Sequence, residues 1–415
     1  MVKTFRRLPL YVWILIAIVL AVICGQFFPP GLARVFFTFN SIFGTFIGFA
    51  IPLIIIGLVT PALAELGSGS AKWILLTTAI AYVSTMIAGF GTWGVSHLVL
   101  PPFLQGQAIG ALDASEHPEL EPYFTVANAH SGDGVEIVVA PVMDVMTALI
   151  LAFVIGIGVS LVRGTVVKEG FREFRVIVVA LVEKILIPLL PLHIFGIFMN
   201  LTMSGDATRV ISTFLAVVVM TFSLCMLILL LQYTLAGAVA HRNPLKSLWV
   251  MKDAFLTALG SSSSAATIPV TLECARRNGV SKPVASFVVP LCATIHLSGS
   301  AIKITGFSLA ILFLTGGHTD FASYAPFILM LGVMMIAAPG VPGGAIAAAA
   351  GLLSSMLGFN DAQVGLMFAT YIALDSFGTA TNVTGDGAIA MIIDRFAGKQ
   401  LGAHAGGVDD HMKEA

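Results

Sequence analysis

Apolar residues along this chain come in long runs rather than in alternation. Runs of membrane-spanning length fall at about 8–28, 35–62, 73–100, 139–162, 175–201 and 208–240. A helix rising 1.5 Å per residue needs about 20 such residues to cross the hydrocarbon core of a bilayer. After residue 240 the pattern changes. Four apolar stretches follow, at about 245–275, 283–310, 322–358 and 361–393, and polar or helix-breaking clusters interrupt them. The clusters are "SSSSAATIP" (261–269), "HLSGS" (296–300), "APGVPGG" (338–344) and "DSFGTATNVTGD" (375–386). The pattern predicts an all-α integral membrane protein whose last third is built differently from its first two.

Composition agrees: the 415 residues are 57% hydrophobic and 10% charged, where soluble domains carry about 25% charge. A net charge of −1 gives no basic footprint for nucleic acid, which is excluded as a partner. Cys24, Cys225, Cys274 and Cys292 lie in or beside apolar stretches and are expected as free thiols. The opening "MVKTFRRLPLYVWILIAIVLAVICGQFF" starts like a signal peptide, but its apolar run is too long and no small-residue cleavage site follows. It reads as a retained first helix.

Lys and Arg placement sets the orientation. Lys3, Arg6 and Arg7, then Arg163, Lys168, Arg172 and Arg175, then Arg242 and Lys246, and finally Arg395 and Lys399 mark cytoplasmic segments. The loop 101–138 lacks Lys and Arg, holds Asp113, Glu116, Glu119, Glu121, Asp133 and Glu136, and belongs outside. Both termini are then cytoplasmic, and only an even number of crossings fits between 246 and 395. The stretch 245–275 is flanked by Lys246, Lys252, Arg276, Arg277 and Lys282 and breaks at the serines, as a re-entrant hairpin from the inside would. The uncharged stretch 322–358, broken at "APGVPGG", would be its counterpart from the outside. The expectation is eight transmembrane helices plus two oppositely oriented re-entrant helical hairpins. Helices 1–6 would occupy 1–240; hairpin 1, helix 7, hairpin 2 and helix 8 would occupy 241–395; and 396–415 would be a cytoplasmic tail. Paired broken segments point to a transporter binding site near the bilayer midplane, where irregular backbone is tolerated only against protein or a water-filled cavity.

In a helix over 375–386, Asp375, Thr379, Asn382 and Asp386 share one stripe, with Ala373, Phe377, Ala380 and Ala388 opposite and Gly378 and Gly385 opening space beside it. An intramembrane carboxylate costs roughly 2.5–3.5 kcal/mol and usually marks a substrate or ion path. Two on one stripe call for two cationic partners, such as an amino group and a metal ion; the plainer alternative is a buried salt bridge or hydrogen-bond network. The serines are either a small-residue packing face or, with Pro269, a helix start whose free amides attract a carboxylate. "HLSGS" is either a kink or a break that turns carbonyls inward, and carbonyls with one carboxylate suit Na+. His296 and Lys303 are either a core histidine and a snorkelling lysine or groups that couple charge. Asp144 in "PVMDVM" reads as interfacial. No nucleotide loop, hydrolase signature or catalytic triad is present, and Asp375 and Asp386 lie about 16 Å apart on a helix, too far for an acid/base dyad. The chain is not expected to be an enzyme.

The last third resembles the dicarboxylate/amino acid:cation symporters, the glutamate transporter family. The resemblance is carried by "SSSSAATIPVT", "VVPLCATIHLSGSAI", "GVPGGAI" and "NVTGD", whose order and spacing cover about 250–395. It implies a homotrimer in the cell membrane, with helices 1, 2, 4 and 5 as scaffold. A transport domain of helices 3, 6, 7 and 8 and both hairpins would move like an elevator, gated by hairpin 2. It implies that Asp375 and Thr379 hold the substrate amino group, that Asn382, with Ser263 and Ser264, serves the α-carboxylate, and that Ser300 and Gly378 also belong to the substrate site. A first sodium site would take Asp386, Asn382 and the backbones of Cys292 and His296; a second would take Thr294, Ala337 and Ala338. Where acidic-substrate members carry an arginine, this chain has Gly378, and "DSFGTATN" is closer to the serine/threonine-transporting branch. An unpaired second carboxylate would be costly to bury there, so a small neutral amino acid such as serine, threonine or alanine is expected. The family's "NMDG" is here "HLSG", and Thr77, Ile80 and Ala81 stand at the third sodium site, which is expected to be lost. One or two Na+ ions would remain, with His296 or Lys303 supplying charge or proton coupling. The rivals are a dicarboxylate or acidic amino acid carrier that uses Lys303 as the anion partner, and an ion channel, which needs a continuous polar lining.

Overall fold

The computed structural model describes residues 10–65, 71–104, 121–123, 142–162, 164–205, 207–338, 340 and 342–411. Among them every regular element is helical. The first two thirds hold α1 (Leu10–Cys24), α2 (Pro30–Glu65), α3 (Ala71–Leu104), α4 (Val145–Leu161), α5 (Val166–Leu181), α6 (Ile187–Met203) and α7 (Ala207–Ala240). A π-helical turn, Val182–Leu186, joins α5 to α6; Pro188 follows it and lacks the N–H that would close a regular turn there. Among the described residues five segments are long and apolar enough to cross a membrane: Pro30–Ala62, Lys72–Pro102, Val166–Met203, Val210–Ala240 and Lys282–Thr315. Their outer faces carry exposed apolar side chains such as Leu75, Leu98, Val176 and Leu227, as lipid contact requires. This is an integral membrane protein.

The last third is a series of helix pairs. α8 (Pro244–Val250) leads into α9 (Lys252–Ser261), which turns back through Ser262 into α10 (Ser264–Arg277). Ser262 has φ +51, a left-handed conformation that reverses the chain in one residue. An exposed Arg277–Asp253 pair at 2.6 Å ties the open ends of α9 and α10. α11 (Lys282–Ile295) stops at His296 and Leu297, which are non-helical, and α12 (Ser298–Thr315) resumes. The pair α13 (Phe321–Ala337) and α14 (Gly344–Leu357) forms a second tight hairpin, and α15 (Asp361–Ala373) breaks at Leu374 before α16 (Asp375–His411). An 18-residue apolar stretch within Lys282–Thr315 is 94% buried, so the broken α11–α12 helix is the axis of this half rather than a lipid-facing span.

α2 packs against α4, α5 and α6, and α1 against α6; α3, α7, α9, α11 and α12 pack around one another and α16. The two groups meet where α13, α14 and α15 lie on α1, α2, α4 and α6. The interruptions at 261–263 and 296–297 fall where the sequence predicts them. Pro269 does not open α10; it lies inside it, and Ser263 is the cap. Of the residues read as facing away from the polar stripe, Phe377 is exposed, but Ala380 and Ala388 are buried, because α16 is packed by α3, α7, α9, α10, α11 and α12. Asp144 is exposed one residue before α4. All four cysteines are free. The orienting residues Lys3, Arg6, Arg7 and Arg163, most of the loop 101–138, and Pro339 and Val341 in "APGVPGG" lie outside the described residues.

Candidate functional site

Three breaks converge on the first turns of α16. Asp375 opens that helix because Leu374 ends α15, and its carboxylate is claimed from two elements. The backbone N–H of Gly343 donates to Oδ2 at 2.8 Å, and Lys303 Nζ on α12 donates to Oδ1 at 3.2 Å. Gly343 has φ +72, which lets the hairpin tip aim its amide at Asp375. The Lys303 ammonium also donates to the Leu374 carbonyl (3.3 Å) and sits 3.7 Å from the centroid of the Tyr371 ring, a cation–π contact. The Lys303–Asp375 pair is almost fully buried. Gly378 lies directly beneath the lysine: a Cβ there would collide with Lys303 Cε and Nζ. The side chain absent at 378 is therefore replaced in space by one from another helix.

One turn on, Asn382 binds the broken helix rather than facing an open site. Its Oδ1 accepts from Gly299 N–H (2.8 Å) and its Nδ2 donates to Ser300 Oγ (3.1 Å), which also accepts from Tyr371 OH (2.8 Å). Gly299 is needed for this approach, since a Cβ would come within 2.6 Å of the Gly378 carbonyl oxygen. Thr379 Oγ1 donates to the Asp375 carbonyl in its own helix.

Asp386 is fully buried and half satisfied. Its Oδ1 accepts from His296 Nδ1 at 2.9 Å, while Oδ2 has no partner. The other face of the imidazole meets Ser84 Oγ (3.1 Å) and Gln232 Nε2 (3.3 Å), and Gln232 reaches Ser84 Oγ (2.8 Å) and Ser298 Oγ (3.3 Å). His296 thus bridges Asp386 to a polar cluster of Ser84, Gln232 and Ser298, in which the Gln232 Oε1 has no partner. A buried carboxylate oxygen without a donor is a position a cation fits. Among the described residues no group of three or more His, Cys, Asp and Glu side chains gathers, so the donors available are hard oxygens, suited to Na+ rather than to a transition metal.

The hairpin tips touch. Ser263 caps α10 by accepting from Ala266 N–H (3.3 Å) and donates its hydroxyl to the Gly340 carbonyl of the second hairpin (3.1 Å). Ser264 is buried beside the same glycine. Thr294, Ala337 and Ala338 line a cavity of about 230 Å³ together with Arg175 of α5. The Thr294 hydroxyl donates to Leu291 O, and the Cys292 carbonyl accepts from His296 N–H at 2.9 Å. Thr77 is buried with an unpartnered Oγ1, and Ile80 and Ser84 lie near Gln232 along a groove between α3, α7 and α16. Sequence reasoning missed Gln232, Ser84, Tyr371 and the Gly343 amide. Gln232 had a signal: it is an amide in the otherwise apolar run "LILLLQYTLAG".

The chain is similar to known transporters. The sequence profile of the sodium:dicarboxylate symporter family matches residues 10–396. The serine/threonine transporter SstT of Acinetobacter baumannii (strain AYE) is 26% identical over 404 residues, which cover 95% of this chain and 98% of that protein. An excitatory amino acid transporter of Caenorhabditis elegans is 28% identical over 268 residues, 61% of this chain and 52% of that protein. With the match spanning all the helices that build the site, the chain belongs to the sodium:dicarboxylate symporter family and is a membrane transporter, not an enzyme.

Proposed function

We propose that this protein is a secondary active symporter that couples Na+ influx to uptake of a small neutral amino acid of the serine, threonine or alanine type. The observation that carries the reading is the pair of buried carboxylates on α16. Asp375 already accepts an alkylammonium, that of Lys303, which is the group an amino acid would bring. Asp386 keeps one oxygen free for a dissolved cation. No unpaired buried cation among the described residues remains for a second substrate carboxylate. Ser263, Ser264, Ser300, Thr379 and Asn382 supply the neutral donors for an α-carboxylate, once substrate displaces their present partners.

In this reading α9–α10 and α13–α14 are the two re-entrant hairpins, and eight helices cross the membrane. The scaffold is the α1, α2, α4 and α5–α6 group; the rest moves against it as an elevator in each protomer of a homotrimer. The seam supports sliding because small residues line it: Gly351 faces Ile51 and Val145, and Gly365 faces His193 and Ile197. The second hairpin is the gate, held shut by Gly343 N–H on Asp375 and by Ser263 on Gly340. Substrate ammonium arriving at Asp375 competes with that latch.

A second reading, a dicarboxylate or acidic amino acid carrier, is favoured by one observation: Lys303 occupies the space above Gly378. Uptake of labelled serine and of aspartate by proteoliposomes, with and without an inward Na+ gradient, separates the two. Sodium-driven serine uptake that excess aspartate does not inhibit supports the first; sodium-driven aspartate uptake supports the second.

A further inference from the structure

Both oxygens of Asp375 are occupied. Gly343 N–H on Oδ2 holds the tip of the second hairpin against α16, and Lys303 Nζ sits on Oδ1. The lysine and the carboxylate are almost fully buried, so a substrate ammonium reaches Oδ1 only when Lys303 leaves it. The lysine has a fixed seat to return to: the Leu374 carbonyl at 3.3 Å and the Tyr371 ring, 3.7 Å from its centroid, hold the ammonium, and Gly378 leaves room for the end of the side chain. Lys303 on α12 and Asp375 on α16 belong to one helix group, because α12 packs along α16. The pair therefore travels intact if that group moves. A carrier that accumulates its substrate must bring the binding site back without it, and a bare Asp375 would then be a buried charge with no partner, which is costly.

We infer that Lys303 is the counter-cation of the return step: it occupies Asp375 in turn with the substrate ammonium, so that the second hairpin closes over the unloaded site and the moving group returns without a counter-transported ion or amino acid. The inference rests on the symport reading and its moving helix group, but not on the identity of the amino acid. Two consequences follow from the shared oxygen. Lysine and substrate exclude each other at Oδ1, so removing the lysine raises the apparent affinity for substrate. The lysine is also dispensable while the site is loaded, because the substrate ammonium then compensates Asp375. Its removal therefore separates exchange, in which the site crosses loaded in both directions, from net uptake, in which it crosses once unloaded. Gly378 belongs to the same device, because a Cβ there would collide with Lys303 Cε and Nζ.

The test is uptake of labelled serine, or of aspartate should wild type prefer it, by proteoliposomes that hold the full-length protein. Two modes are read: net accumulation under an inward Na+ gradient with no amino acid inside, and exchange against the unlabelled amino acid with equal Na+ on both sides. Wild type is expected to perform both with no K+ inside. Lys303→Met is expected to keep exchange with a lowered KM while net accumulation falls at least about 100-fold, because removing one partner of a buried ion pair leaves the other charge unpaired. Lys303→Ala, which vacates the space of a propylammonium, is expected to regain net accumulation when propylammonium is added and not when choline is. Net accumulation by Lys303→Met that keeps pace with its exchange, an exchange KM that is unchanged or raised, or loss of both modes with no rescue of Lys303→Ala overturns the inference. The symport reading fails separately: a wild type that neither accumulates nor exchanges either amino acid in the presence of Na+ defeats that reading, and one that only exchanges defeats this inference alone.

Discussion

At the scale of single residues, the proposed symporter would draw its selectivity from Gly378 and its sodium coupling from Asp386. Gly378 carries no side chain, and Lys303 fills the space from the facing helix. Gly378→Arg is expected to abolish serine uptake by forcing two cations into one slot. Gly378→Arg combined with Lys303→Ala is expected to restore uptake, with preference moved toward aspartate; uptake assays with both substrates check this. Asp386→Asn keeps an acceptor for His296 but loses the charge. A charged contact is worth about 1.5–3 kcal/mol, so Na+ affinity should fall by roughly 10- to 150-fold, as read by ²²Na+ binding. Asp375 and Asp386 were legible in the sequence because a carboxylate in an apolar run has few other reasons to exist. The Lys303–Asp375 pair was not: its members are 72 residues apart and meet only once α12 and α15–α16 pack. The second life of Asn382 as a strut for Gly299 was hidden for the same reason.

At the scale of elements, function resides in interrupted helices. Ser263 joins two interruptions, since one hydroxyl caps α10 and reaches the second hairpin. Ser263→Ala removes both bonds. Ser263 is also a proposed donor to the α-carboxylate, and losing a hydrogen bond of about 1 kcal/mol there is expected to raise KM for the amino acid about fivefold with little change in maximal rate, measured by uptake kinetics. An unchanged KM would mean the tips are not latched through this serine. The breaks at the serine run and at "HLSGS" were readable because Ser and Gly cluster there. The break at Leu374 was not, because "YIALDSF" contains no Gly or Pro; what favours it is burial of Asp375 against Lys303 and Gly343. Pro269 misled in the opposite sense, since a proline within an otherwise well-packed helix costs one hydrogen bond without ending it.

At the scale of the whole molecule, the elevator movement proposed here would run along the seam between the two helix groups. A Cβ at Gly351 would stand 2.6 Å from Val145 Cγ1, so Gly351→Leu is expected to jam the sliding surface. Overpacking costs about 1–3 kcal/mol, and the diagnostic result is a loss of uptake with Na+ binding retained; loss of both would indicate a folding defect. The layout of apolar runs foretold the order of the helices, but not which of them form each group, because apolar runs look alike whether they face lipid or protein. Native mass measurement in detergent is expected to give three copies of the 43.6 kDa chain. The most direct test of the account is uptake of labelled serine into proteoliposomes under an inward Na+ gradient, with aspartate as competitor. The account predicts sodium-driven serine accumulation that excess aspartate leaves intact. Accumulation of aspartate in place of serine, or serine entry indifferent to Na+, would contradict it.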